Sequence, residues 1–123
     1  MSEAKDVALK IVEAARDKKA LQIKVLDMRS VAGFCDYFVI ASGNSLRQVN
    51  AIAQGITDEL AKDKIKSLSK VSSDDQSGWI VLDFSSVIVH IFNKPVREFY
   101  ALERLWSDAK KVRLSRKSTA KKK

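Results

Sequence analysis

Residues 36–42, DYFVIAS, constrain the fold more than any other stretch of the chain. Half-exposed strands alternate apolar and polar side chains, but here Tyr37, Phe38, Val39, Ile40 and Ala41 follow one another without a break. Such a strand has both faces in an apolar interior, so it belongs inside a sheet that is covered on each side. A turn at Gly43-Asn44 follows, and then a helical pattern in which Leu46, Val49, Ala53, Ile56 and Leu60 share one side. Gly55 lies inside that helix and costs about 1 kcal/mol relative to Ala, unless a close approach requires it. The helix should end near Lys62–Lys64, where basic side chains suit the negative end of its dipole.

The flanking segments supply the cover. Glu3 to Lys19 carries Val7, Ile11, Ala14 and Ala15 at helical spacing. LQIKVLDM (21–28), with β-branched Ile23 and Val25, is a strand, and IKSLSKV (65–71) is a shorter strand candidate. WIVLDF and VIVHIF are two apolar runs joined through Ser85-Ser86, which predicts a hairpin. Serine does not take positive φ as Gly or Asn does, so a turn longer than two residues is expected there. NKPVREFYALERLWSDAKK opens with a possible Asn cap and tolerates Pro95 in its first turn. It aligns Val96, Phe99, Leu102 and Trp106, and so predicts a last helix. The order is α-β-β-α-β-β-β-α: an α/β single domain with a mixed sheet covered by helices.

Charge divides the chain in two. Residues 1–109 hold as many acids as bases, whereas KKVRLSRKSTAKKK (110–123) holds eight bases and no acid. We therefore expect a folded domain over 1–109 and a basic, disordered tail over 110–123. A tail of this kind is a sequence-independent anchor for phosphate backbones, or else a solubilising extension. Its candidate contacts are Lys110, Lys111, Arg113, Arg116, Lys117, Lys121, Lys122 and Lys123. No run of about 18 apolar residues exists, so no membrane span is expected. The N-terminal stretch carries four acids over residues 1–20 and lacks an apolar core, so it does not read as a signal or transit sequence. The single Cys, Cys35, cannot form an internal disulfide, which suits a reducing cytosol. With one His and one Cys a conventional structural zinc site cannot be built, and no metal or cofactor is expected.

The strand–turn–helix corner SGNSLRQV invites a catalytic reading and fails each version of it. A Walker loop needs a second Gly and a Lys, and a nucleophile elbow needs a Gly where Arg47 stands. A serine hydrolase would have to use His90, the only histidine. A two-metal nucleotidyltransferase needs a D-x-D pair on the next strand, but Asp74-Asp75 are adjacent in a polar loop and Asp83 stands alone. The structural account is a capping box, with the Ser45 hydroxyl accepting from the Gln48 amide and the Gln48 side chain returning to the Ser45 amide; Asn44, one residue earlier, is the alternative cap. The exposed helix N-terminus beside Arg47 still favours an anion.

Three stretches together resemble the ribosomal silencing factors, the Iojap-related family. DYFVIASGNSLRQV matches with Asp36, Gly43, Ser45, Arg47 and Gln48; GWIVLDFSSVIVHIF matches as a hairpin running from Trp79 to His90; REFYALERLW matches the last helix up to Trp106. The resemblance spans about residues 3–107. It implies a nucleotidyltransferase-like sheet without an enzyme's function. It further implies a cytoplasmic repressor that binds the large ribosomal subunit through its fourteenth protein, blocks joining of the small subunit, and lowers translation when nutrients are short. It leaves room for a homodimer of the free protein. The chain departs from the family at Ser85-Ser86, where a Gly-acidic pair is common, and in its lysine-rich tail.

With the hairpin as the contact surface, the candidate partner-binding residues are Trp79, Asp83, Ile88, His90, Phe92 and Arg97. Trp79 follows a polar loop and is expected to be partly exposed, as interface anchors often are. Ile88, His90 and Phe92 share one face of their strand; facing outward, they would form an apolar patch for a protein partner. A lone His in such a strand is more often a hydrogen-bonded structural residue. Two alternatives stay open: a general ribosomal-RNA-binding module driven by the tail, and a metal-dependent nucleotidyltransferase.

Overall fold

The computed structural model describes residues 3–30, 33, 35–68, 78–94 and 110–112. Its elements are α1 (Glu3–Asp17), β1 (Leu21–Asp27), β2 (Tyr37–Gly43), α2 (Leu46–Ala61), β3 (Trp79–Asp83), β4 (Val87–Asn93) and β5 (Lys110–Val112). The strands form one mixed sheet in the order β3-β4-β2-β1-β5. β2 lies in the middle, antiparallel to β1 and parallel to β4, and every one of its residues is buried. A parallel pair needs a crossover, and α2 lies within it.

Both helices cover the same face. Ala4, Ala8, Ile11, Val12 and Ala15 of α1 and Val49, Ile52, Ala53, Ile56 and Leu60 of α2 pack on Val25, Tyr37, Val39, Ile80, Leu82, Val87, Val89 and Ile91. Alanines recur on α1 because its axis lies close to its neighbours. Gly55 serves the same end: a Cβ there would lie within 2.8 Å of Lys18 Cε, since the Lys18 stem crosses α2 at that point. The opposite face gathers Leu26, Met28, Cys35, Phe38, Ile40 and Phe92, with Trp79 and Ile88 packed against them. Burying so much of both faces of β2 is what its unbroken apolar run requires.

The corner after β2 ties three elements together. Ser45 caps α2, its Oγ accepting from the Gln48 amide at 3.1 Å. The return bond differs from a simple capping box: Gln48 Oε1 accepts from the Asn44 amide at 2.7 Å, one residue earlier than Ser45. Gln48 Nε2 then donates to the carbonyls of Lys18 and Lys19 at the end of α1, at 3.3 and 2.9 Å. One side chain thus serves orphan groups at the start of one helix and the end of the other. Lys19 itself has φ 62, with its amide on Arg16 O and the Ala20 amide on Ala15 O, a Schellman closure.

Several expectations change. Residues 65–68 are not a strand: Lys64 has φ 65, and the Ile65 amide closes α2 on Leu60 O. The Leu68 amide then bonds to the carbonyl of Asp83, the last residue of β3. The remainder of 65–71, and residues 95–109 of the expected last helix, lie outside the described residues. Lys110 and Lys111, expected at the end of that helix and at the start of a disordered tail, belong to β5, which pairs with β1. Three residues separate β3 from β4, and Ser85 does adopt positive φ, 73°. The Asp83 carboxylate accepts from the Ser85 amide at 2.8 Å and holds that conformation as an Asx turn. Ser86 O in turn accepts from the Asp36 and Tyr37 amides, fixing the start of β2.

The corner makes a checkable forecast. Ser45→Ala removes one cap and should cost about 1 kcal/mol. Gln48→Ala also strands groups on α1 and at Asn44, and should cost about 2 kcal/mol. Urea denaturation reads both; equal costs would show that the bridge to α1 contributes nothing.

Candidate partner-binding face

The hairpin register brings five of the six candidates to one face. Trp79 lies opposite Phe92, Val81 opposite His90, and Asp83 opposite Ile88, so Trp79, Asp83, Ile88, His90 and Phe92 all project to the side away from the helices. Arg97 lies outside the described residues, as do Arg113, Arg116, Lys117, Lys121, Lys122 and Lys123 of the tail.

Sharing a face does not make them an open patch. Phe92 is fully buried and His90 is 8% exposed, so the outward apolar patch expected from Ile88, His90 and Phe92 is not present. β4 lies inside the sheet between β3 and β2, where neighbouring side chains close over its own. What solvent reaches is the edge row on β3: Trp79 and Asp83 are half-buried and Val81 is exposed. Ile88 is half-buried beside them. Val81 belongs to the same row by the period-two spacing of Trp79, Val81 and Asp83, and it is the exposed member of it.

Trp79 is anchored from two sides. Its ring stacks on Phe92 at 5.2 Å, and its indole N–H donates to His90 Nδ1 at 3.2 Å. Phe38 meets the imidazole edge-on at 4.7 Å. With Nδ1 accepting, the neutral ring carries its proton on Nε2. That atom is buried and has no hydrogen-bond partner among the described residues. Burial lowers the His90 pKa to about 4, because a charged ring would lose its water here. His90 is therefore the hydrogen-bonded structural residue that its setting in the strand suggests. Burial also raises the Cys35 thiol to about 11, with help from Asp36 and Asp83, which leaves little thiolate at neutral pH. Among the described residues no three His, Cys, Asp or Glu side chains gather as metal ligands would. No described helix is long and apolar enough to cross a membrane.

With this geometry in hand, comparison with known proteins defines the class. The model of the family described as "Ribosomal silencing factor during starvation" matches residues 1–123. The ribosomal silencing factor of Bacillus subtilis is 43% identical over 102 residues, covering 82% of this chain and 86% of that protein. The chloroplastic Iojap protein of Arabidopsis thaliana is 34% identical over 115 residues, 92% of this chain and 47% of its own length. A crystal structure from Bacillus halodurans superposes with a TM-score of 0.78 at 34% identity, covering 89% of this chain and 99% of that one. A second, from Chromobacterium violaceum, gives 0.81 at 26% identity over 86% and 88%. The chain belongs to the ribosomal silencing factor family, with Iojap proteins among its plant relatives.

The buried imidazole sets a pH dependence. Between pH 6.5 and 4 the unfolded chain protonates His90 while the folded chain does not, so stability falls as pH falls through this window. The total loss is about 3 kcal/mol, complete below the folded pKa. In an NMR titration the folded imidazole should stay neutral at pH 5.5; a midpoint near 6.5 would contradict the burial argument.

Proposed function

We propose that this chain lowers translation by binding the large ribosomal subunit through its fourteenth protein, where its bulk blocks joining of the small subunit. The action is binding and not chemistry, and it takes place in the cytoplasm. Family membership supports a ribosomal role. The name of a mouse relative, mitochondrial assembly of ribosomal large subunit protein 1, favours the large subunit as the docking surface.

The observation that carries the choice of surface is the edge row Trp79–Val81–Asp83. A large aromatic is held rigid by Phe92 and His90 while part of it remains accessible. Rigid aromatic anchors lose little entropy on binding and are over-represented among hot spots. Buried Phe92 and His90 act by holding Trp79, whereas Val81 and Ile88 offer apolar contact around it. Asp83 shapes the turn beside them through its bond to the Ser85 amide.

A second reading draws on the tail: eight bases without an acid favour RNA as an additional ligand. Its strong form makes the chain a general RNA-binding module. The free protein is further proposed to pair as a homodimer.

The test uses exposed Val81, since replacing Trp79 would also strand the His90 acceptor. Val81→Asp should weaken binding to the isolated fourteenth protein at least tenfold and leave the melting temperature within about 2 °C. Unchanged binding would remove the edge row from the site. Deleting residues 113–123 should leave this protein–protein contact intact; losing all subunit binding with the tail would favour the RNA module.

A further inference from the structure

A cavity of about 390 Å³ opens where three separate parts of the chain meet. α1 contributes Asp6, Val7 and Lys10, the turn that closes α2 contributes Asp63 and Ile65, and the turn between β3 and β4 contributes Phe84 and Ser86. Small-molecule sites fall in this range of volume and combine a mainly apolar lining with a few convergent polar groups.

The floor is apolar and fixed. Phe84 belongs to the main core, and Val7 and Ile65 pack half-buried against that core, so the floor is its outer surface. Backbone bonds hold each wall. The Ile65 amide closes on Leu60 O, the Phe84 amide on Val87 O, and Ser86 O accepts from the Asp36 and Tyr37 amides. The Ser86 hydroxyl has no hydrogen-bond partner among the described residues.

The charges at the mouth are not balanced. Asp6 and Lys10 stand four residues apart on α1, a spacing at which helical ion pairs form. Lys10 instead pairs with Asp63, 53 residues away in sequence, and so bridges α1 to the end of α2. That choice leaves the Asp6 carboxylate without an ion pair or hydrogen bond among the described residues. Lys10 and Asp63 neutralise each other, so the lining carries one negative charge, on Asp6. An anion would be repelled there, whereas a cation would supply the partner that Asp6 lacks.

We propose that this cavity binds a small organic monocation, with a primary ammonium against Asp6 and an apolar body on Val7, Ile65 and Phe84. The Ser86 hydroxyl offers the ammonium a second acceptor. The site lies on the helix-covered face, opposite the side to which Trp79 projects. It therefore does not rest on the ribosomal reading, and either can fail without the other.

The experiment is an amide NMR titration of the full chain with three probes of one shape: phenethylamine, the neutral 2-phenylethanol and the anionic 3-phenylpropionate. The amine should give saturable shifts at the amides of Val7, Lys10, Ile65 and Ser86. It should bind about three- to fivefold more tightly than the alcohol, the gain a partly solvated ion pair supplies, and the anion should bind most weakly. Asp6→Asn should bring the amine down to the affinity of the alcohol and leave the melting temperature within about 2 °C. Val7→Phe, which fills the cavity with a ring of its own, should abolish the saturable shifts from both. An amine that gives no saturable shifts at these four amides up to its solubility limit would overturn the proposal. So would an amine preference that survives Asp6→Asn in the folded variant.

Discussion

Every residue of β2 is buried, and the positions of the other elements follow from that constraint. A strand without an exposed residue cannot lie at an edge, so β1 and β4 must flank it. Because β4 is parallel to β2, a crossover is needed, and α2 is available to cover one face. α1 packs beside α2 on the same face, with Gln48 joining the end of one helix to the start of the other. Substituting within β2 would therefore disturb two apolar clusters at once, one on each side of the sheet.

The same arrangement separates structural from accessible chemistry. β4 is interior, so His90 and Phe92 are consumed in holding the sheet together, and the only histidine carries a lowered pKa. β3, outermost among the described strands on its side of the sheet, keeps Trp79, Val81 and Asp83 within reach of solvent. The Ser85-Ser86 turn works without glycine because the Asp83 carboxylate stabilises a positive φ at Ser85. Asp83, expected as a partner contact, thus shapes the hairpin that carries the proposed partner face.

Much of this was legible in the sequence. The unbroken apolar run of β2, the helical spacing of α1 and α2, the Ser45 cap and the hairpin all have strong local signals. Other features depend on what meets what in space. Lys110–Val112 looks like a charged tail, and only pairing with β1 makes it a strand. Residues 65–68 have strand-like composition, but the closure of α2 claims the Ile65 amide. Alternation placed Ile88, His90 and Phe92 together correctly, yet which face is open depends on neighbours across the sheet. For the same reason Val81, flanked by large side chains in sequence, was not recognised as the exposed member of the row.

The central claim is that this chain acts by occupying the large subunit. Light scattering on mixing isolated subunits tests it directly. Large subunits saturated with the protein should fail to join small subunits, and joining should recover as the protein is competed away by free fourteenth ribosomal protein. Joining at an undiminished rate and extent, with the protein demonstrably bound, would contradict the account.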